Sequence, residues 1–253
     1  MIIVRIIVSV LWKIYITIIF SITAILFYPL IVPLLFSDRL KKHTFPLFVA
    51  WSWTMRIFCF YFVAKKMNSP LPNAPYIIIA NHISYLDIFL LPSILPKNRF
   101  LFLGKSELLR YPLIRTYFKK LHIPVFRQNK LKAAKSLIKS KRELKKGWSL
   151  VIFPEGGIPS LNNPKMIKFK EGSFQLAKSS DVPIVPITFI NNHKLLNNPS
   201  SIKGIARPGL SFVYIHPFIS KEEVRTLSQT ELANMSFKII ESPLIQEYPD
   251  LFD

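Results

Sequence analysis

The stretch Asn81-His82-Ile83-Ser84-Tyr85-Leu86-Asp87 holds an imidazole and a carboxylate five positions apart. On a continuous α-helix five residues turn through about 500°, which leaves those two side chains about 140° apart. They meet only where His82 lies in a turn and Asp87 in the first turn of a following helix, with Ser84 as the N-cap. A carboxylate on one imidazole nitrogen fixes the tautomer and stabilises the imidazolium, leaving the other nitrogen free as a general base. Near neutral pH that base can deprotonate an attacking hydroxyl. Five His and five Asp in 253 residues give about 0.1 such pairs by chance, so spacing alone proves little. Placement strengthens the reading, because the pair follows directly on the apolar run Tyr76–Ala80.

Two further loops carry groups of the right kind. Phe153-Pro154-Glu155-Gly156-Gly157 also follows an apolar run. Its adjacent glycines let backbone N–H groups approach a ligand closely, and Glu155 can accept from a hydroxyl. Standing alone, this stretch is an ordinary tight turn with an exposed Glu. Val125-Phe126-Arg127 puts a guanidinium beyond a third apolar run, a group suited to bidentate phosphate binding. Taken by itself, Arg127 is a surface residue.

The elements that must hold these loops alternate. Short apolar runs at Tyr76–Ala80, Phe100–Leu103, Ile123–Phe126, Leu150–Phe153, Ile184–Ile190 and Leu210–Ile215 read as buried strands. Helical patterns lie near Leu86–Leu95, Glu107–Lys119, Leu131–Lys146, Phe169–Ser179 and Val224–Glu241. This alternation predicts an α/β fold with a mixed, largely parallel sheet covered by helices. In Leu131–Lys146, lysines surround an apolar stripe of Leu131, Ala134, Leu137, Ile138 and Leu144, expected to pack on the sheet. Glu143 is its single acid, so the excess of cations calls for a counter-anion, anionic lipid before DNA.

The first quarter of the chain differs. Ile14–Ser37 contains no charged residue over 24 positions, enough to cross a hydrocarbon core of about 30 Å. That run exceeds the h-region of a signal peptide and no A-x-A-like cleavage site follows it. A second apolar stretch, Leu47–Ala64, carries Arg56 among aromatic residues. Lys41 and Lys42 between the stretches, and Lys65 and Lys66 after the second, argue against a hairpin crossing twice. The expectation is a membrane-inserted two-helix segment over residues 1–67, monotopic or single-span, followed by an α/β domain over residues 68–253. Pro29 and Pro33 within or after the first helix favour the shallow, monotopic insertion.

Composition narrows the partners. Thirty-four Lys and Arg against fourteen Asp and Glu give a net charge of +20, which points to anionic partners. Cys59 is the single cysteine, which excludes an internal disulfide framework and a multi-cysteine zinc site. It stands in an apolar stretch without a base nearby and is discounted as a nucleophile. With seven glycines, no glycine-rich nucleotide loop is present.

Together the motifs resemble those of the glycerolipid acyltransferase family, the 1-acyl-glycerol-3-phosphate (lysophosphatidic acid) acyltransferases. Asn81-His82-x4-Asp87 matches its first block, and Lys105-Ser106-Glu107-Leu108 with Val125-Phe126-Arg127 resembles the region leading into its second. Phe153-Pro154-Glu155-Gly156 matches the third and Val182-Pro183-Ile184-Val185-Pro186-Ile187 the fourth. The resemblance implies acyl transfer from acyl-CoA or acyl-carrier protein to the free hydroxyl of lysophosphatidic acid, giving phosphatidic acid. It implies His82 as base and Asp87 as its orienter. Lys105, Arg127, Glu155, Gly156 and Gly157 would hold the acceptor, and Val182, Pro183, Ile184, Val185 and Pro186 would shape an acyl pocket. No cofactor, metal or nucleic acid is implied. The partners are membrane phospholipid, a lysophospholipid and an acyl donor, an acidic carrier protein among the options, at the cytoplasmic face of the inner membrane.

The sequence departs from the family in two places. Gly157 and Ile158 stand where the third block continues with Thr and Arg, and Leu121 and Phe126 replace the usual Gly and Asp of the second. A different lyso-lipid acceptor, such as a lyso-ornithine lipid, therefore stays open beside lysophosphatidic acid. A non-catalytic basic membrane protein is the alternative from another class.

Overall fold

The computed structural model describes residues 2–110, 112–126, 128–159, 164–197 and 204–252. A seven-stranded sheet forms the centre, in the order β1-β7-β6-β2-β5-β3-β4. Its strands are β1 (Tyr61–Met67), β2 (Ile77–Ala80), β3 (Phe100–Lys105), β4 (Ile123–Val125), β5 (Ser149–Ile152), β6 (Ile184–Phe189) and β7 (Gly209–Ile215). β2 pairs in parallel with β5 and β6, and β3 in parallel with β4 and β5. β6 meets β7 antiparallel, and β1 runs parallel to β7 at the edge. Every residue of β2 and β6 is buried, as expected of strands written as unbroken apolar runs and covered on both faces.

The helices are α1 (Ile2–Ile31), α2 (Thr44–Phe58), α3 (Leu86–Ile94), α4 (Pro112–Lys120), α5 (Lys130–Lys145), α6 (Gly172–Ser180), α7 (Asn192–Leu195), α8 (Lys221–Thr226) and α9 (Gln229–Glu247). They form two layers. α2 packs on α1 and α3, and α1 also touches α4, whereas α5 packs on α6 and α6 on α9. The connections give the reason. The crossovers through α3 and α4 run across the sheet in one direction and those through α5 and α6 in the other, so a right-handed rule puts the two pairs on opposite faces. The mixed sheet covered by helices agrees with the sequence expectation.

α1 is the one helix among the described residues that is long and apolar enough to cross a membrane, and it is compatible with membrane association. Ile7, Leu11, Ile14, Ile18, Ile22 and Ile25 make one stripe along it, each more than half exposed. Its other side docks on α2, where the Trp51 indole stacks on Phe20 and Phe27 and donates to the Thr23 hydroxyl at 2.9 Å. At the far end Lys41, in the α1–α2 connection, forms a buried ion pair with Glu143 of α5 at 2.8 Å. Pro29 sits inside α1, which continues to Ile31.

Three local expectations need correction. The stretch Leu47–Ala64 is not one helix: α2 stops at Phe58, Phe60 takes a left-handed φ of 51°, and Tyr61 begins β1. A β-prone Tyr-Phe-Val run has a ready partner in Gly209–Ile215, and that ladder overrides the hydropathy signal. Val224–Glu241 is divided between α8 and α9, each opened by its own capping box, Ser220 with Glu223 and Ser228 with Glu231. In α5 the apolar stripe does not face the sheet as a whole. Leu144 is buried, but Leu131 and Ile138 are turned outward while Ser136 and Ser140 are buried. Those serines satisfy themselves on backbone carbonyls, Ser136 on Pro124 and Ser140 on Ser136.

Candidate active site

The site forms where β2 ends at Ala80, in the middle of the sheet. Asn81 fastens the exit of the strand to β6: its amide donates to the Phe189 carbonyl and accepts from the Phe189 N–H, both at 2.8 Å. His82 follows in the turn, and Asp87 falls in the first turn of α3. The Asp87 Oδ2 lies 3.0 Å from His82 Nδ1 and also accepts from the backbone N–H groups of Ile83 (2.8 Å) and Ser84 (2.9 Å). The N-cap position of α3 falls on Tyr85, one residue beyond the Ser84 expected there, and it makes no side-chain cap bond; Ser84 Oγ accepts from Leu86 N at 3.1 Å and donates to the Leu196 carbonyl. The turn-then-helix geometry expected for this pair is what the structure contains.

The carboxylate is held from its other side as well. Asp87 Oδ1 accepts from the Asn192 amide at 2.8 Å, and the Asn192 carbonyl accepts from Ser211 Oγ at 2.6 Å. Asp87, Asn192 and Ser211 have no exposed surface, so the chain of bonds works without water. Asn192 and Ser211 are the residues that sequence reasoning missed. Asn192 sits 105 positions after Asp87, and nothing in the sequence between them signals the contact.

An acceptor-only carboxylate requires Nδ1 to carry a proton, which leaves the Nε2 lone pair available. No described residue bonds Nε2, and His82 keeps a small exposed edge of 8%. The Phe153 ring stacks on the imidazole with centroids 4.0 Å apart and planes 18° apart, fixing its orientation.

Glu155 does different work from that expected of it. It is buried, with Oε1 accepting from His82 N at 2.8 Å and Oε2 from Ile167 N at 3.1 Å. Both oxygens thus clamp backbone, tying the His82 turn to the segment before α6. Burial pushes its carboxyl up to about 7, and the charge of Asp87 adds to the rise, against the two backbone N–H groups. Gly156 makes the turn with a φ of 86°, its N–H donating to Phe153 O at 3.0 Å. A Cβ on Gly157 would stand 2.5 Å from Lys105 Nζ, so the ammonium at the end of β3 occupies the space that a side chain would take. The structure therefore brings His82, Asp87, Lys105, Glu155, Gly156 and Gly157 to one end of the sheet. Arg127 lies outside the described residues.

Val182, Pro183, Ile184, Val185 and Pro186 serve the core. Pro183 O accepts from Ile77 N at 3.0 Å, Ile184 and Val185 pair with Ile77 and Ile78, and neither has exposed surface. They hold β6 beside β2 and so support the Asn81 clamp. Cys59 is buried, which pushes its thiol up to about 12 and removes it from nucleophilic chemistry at neutral pH. Among the described residues no group of three or more His, Cys, Asp or Glu is placed to hold a metal ion.

This arrangement has relatives. A family model described as Acyltransferase matches residues 59–190, a span holding every site residue named above except Asn192 and Ser211. A curated 1-acyl-sn-glycerol-3-phosphate acyltransferase of Saccharomyces cerevisiae is 34% identical over 66% of this chain and 57% of its own length. The chloroplastic BAT2 enzyme of that name from Brassica napus is 30% identical over 72% of this chain and 52% of its own. One from Borreliella burgdorferi is 28% identical, over 73% and 68%. The chain spans about half the length of several of these curated relatives. In fold it is similar to the crystal structure of the 1-acyl-sn-glycerophosphate (LPA) acyltransferase PlsC from Thermotoga maritima. The TM-score is 0.76 at 22% identity, covering 96% of this chain and 97% of that one. With a matched span of half the chain centred on the buried His82–Asp87 pair, this protein belongs to the acyltransferase family.

Proposed function

We propose that the protein is a membrane-bound 1-acylglycerol-3-phosphate O-acyltransferase that makes phosphatidic acid from lysophosphatidic acid and an acyl thioester. The observation that carries this reading is the His82–Asp87 pair, pinned at Nδ1 and open at Nε2. His82 Nε2 takes the proton of the acceptor's free hydroxyl as that oxygen attacks the thioester carbonyl carbon. The tetrahedral oxyanion collapses with loss of the C–S bond. The departing thiolate takes the proton back from the imidazolium, so that ester and free thiol leave and the enzyme returns to its starting state. Asp87 stabilises the imidazolium while it lasts. Neither a covalent enzyme intermediate nor a cofactor enters this scheme.

Lys105 is the cation for the acceptor phosphate. The family's arginine after Phe-Pro-Glu-Gly is replaced here, and Lys105 Nζ lies against Gly157 in the same loop. The backbone N–H of Gly157 completes the anion site, the Gly156 N–H being held by Phe153 O within the turn. The exposed stripe of α1, with α2, lies in one leaflet on the cytoplasmic face of the membrane, so that acceptor and product stay in the lipid phase. The test is a panel of acceptors with one donor, palmitoyl-CoA, and the products identified by mass. Phosphatidic acid from lysophosphatidic acid is the expected product. Turnover confined to a lyso-lipid without a terminal phosphate would overturn the acceptor assignment, and salt-sensitive vesicle binding with no turnover would overturn the enzyme.

A further inference from the structure

The loop after β5 grips His82 twice. Glu155 Oε1 takes the backbone, accepting from His82 N at 2.8 Å, and the Phe153 ring lies on the imidazole, centroids 4.0 Å apart and planes within 18° of parallel. The sheet sets this overlap. Ile152, the last residue of β5, pairs with Ile79, so Phe153 leaves its strand level with Ala80, two positions before His82. The loop then holds the ring in place, because Gly156 N donates to the Phe153 carbonyl and Lys170 N to that of Pro154, both at 3.0 Å. Phe153 itself is half-buried and packs against the core.

His82 is therefore met from two directions at right angles. Asp87 Oδ2 meets its edge, 3.0 Å from Nδ1, and Phe153 covers a face, while the Nε2 edge stays open among the described residues. Any apolar side chain of similar bulk would hold the ring's orientation. An aromatic face does more, because its quadrupole presents negative charge to whatever lies over it. Against neutral imidazole that charge counts for little. Against imidazolium it becomes a cation–π attraction, and a centroid distance of 4.0 Å lies well inside the reach of that interaction, about 6 Å. The attraction appears only as the proton arrives, so it favours the transition state over the ground state. Burial strengthens it, since Asp87 has no exposed surface and little water reaches the pair.

We propose that Phe153 is a positioning residue whose ring face stabilises the imidazolium that His82 becomes during transfer. The inference rests on the acyl-transfer reading above and adds a second group, beside Asp87, that carries the charge of the base. Phe153 makes and breaks no bond. The proton passes from the acceptor hydroxyl to Nε2 and from there to the departing thiolate.

The experiment replaces Phe153 alone, in the full chain in mild detergent, by phenylalanine carrying one, two or three ring fluorines, introduced by nonsense suppression. Fluorine changes the size of the ring little and drains charge from its face. With lysophosphatidic acid and palmitoyl-CoA, kcat is expected to fall stepwise to about tenfold below wild type at three fluorines. KM for both substrates should stay within about twofold, with thermal unfolding and vesicle binding unchanged. Phe153→Leu should lose about tenfold or more in kcat, and Phe153→Tyr, which keeps the face, should stay within about threefold of wild type. A kcat that is flat across the fluorinated series would overturn the proposal and leave Phe153 as packing. So would a loss shared equally by KM, or one that follows a fall in thermal stability. A wild type without acceptor-dependent turnover sinks the acyl-transfer reading and this inference with it, whereas a flat series in an active enzyme sinks the inference alone.

Discussion

At the scale of residues, the groups that set the chemistry can each be separated by substitution. Asp87→Asn keeps the shape but withdraws the acceptor that fixes the His82 tautomer, so kcat should fall about a thousandfold or more with little change in KM. Asn192→Ala leaves Asp87 Oδ1 and Ser211 Oγ without their partner in a dry core. A loss of about tenfold or more in kcat, together with a shifted pH–rate profile, is expected from steady-state kinetics, and an unshifted profile would reduce Asn192 to packing. Glu155 makes a statement about stability. With its carboxyl at about 7 in the folded protein against a usual 4.5, the folded state holds a proton that the unfolded chain has given up. Its contribution is therefore complete below about pH 4.5 and is lost as pH rises through 7, on the order of 3 kcal/mol in all. Denaturant unfolding of wild type and Glu155→Gln over that window checks it, since the variant should lack this component of the slope. Gly157→Ala, finally, puts a Cβ where Lys105 Nζ lies, and the flexible end of the lysine must move. KM for lysophosphatidic acid should rise about tenfold with little loss of stability, and Lys105→Ala should do the same.

At the scale of elements, what could be read in the sequence followed pattern strength. β2 and β6 are continuous apolar runs, and the His82 and Glu155 loops sit at the ends of strands, as their place after Tyr76–Ala80 and Leu150–Phe153 requires. β1 was not legible. Buried only at Tyr61, it shows no alternation and continues the hydrophobic and aromatic composition of α2, and only pairing with a strand nearly 150 positions away, at Gly209, identifies it. The division between α8 and α9 was written in two Ser-x-x-Glu boxes that the apolar periodicity hid. In α5 the periodicity misled, because of the stripe it marks Leu144 is buried while Leu131 and Ile138 are turned outward. The Asn192–Ser211 support of Asp87 is a contact between distant elements, α7 and β7, and no local rule reports it. The Lys41–Glu143 pair is of the same kind, and it joins the α1–α2 connection to α5. Lys41→Ala leaves a buried carboxylate unpaired and should cost about 3–5 kcal/mol in unfolding measurements. Lys41→Met with Glu143→Leu should recover most of it.

At the scale of the whole molecule, one face of the sheet carries α1 with its exposed apolar stripe and the other carries the lysine-rich α5, with the site at the end of the sheet between them. The account requires that the acceptor reach His82 from the bilayer and the donor from solution, and that nothing happen to the thioester until both are present. The most direct measurement is thiol release from palmitoyl-CoA with and without lysophosphatidic acid, for wild type and His82→Ala. The account expects release that depends on the acceptor and falls by about a thousandfold or more in the variant, which keeps its fold and vesicle binding. Release that proceeds equally without acceptor, or that survives in His82→Ala within about tenfold of wild type, would contradict direct transfer through His82.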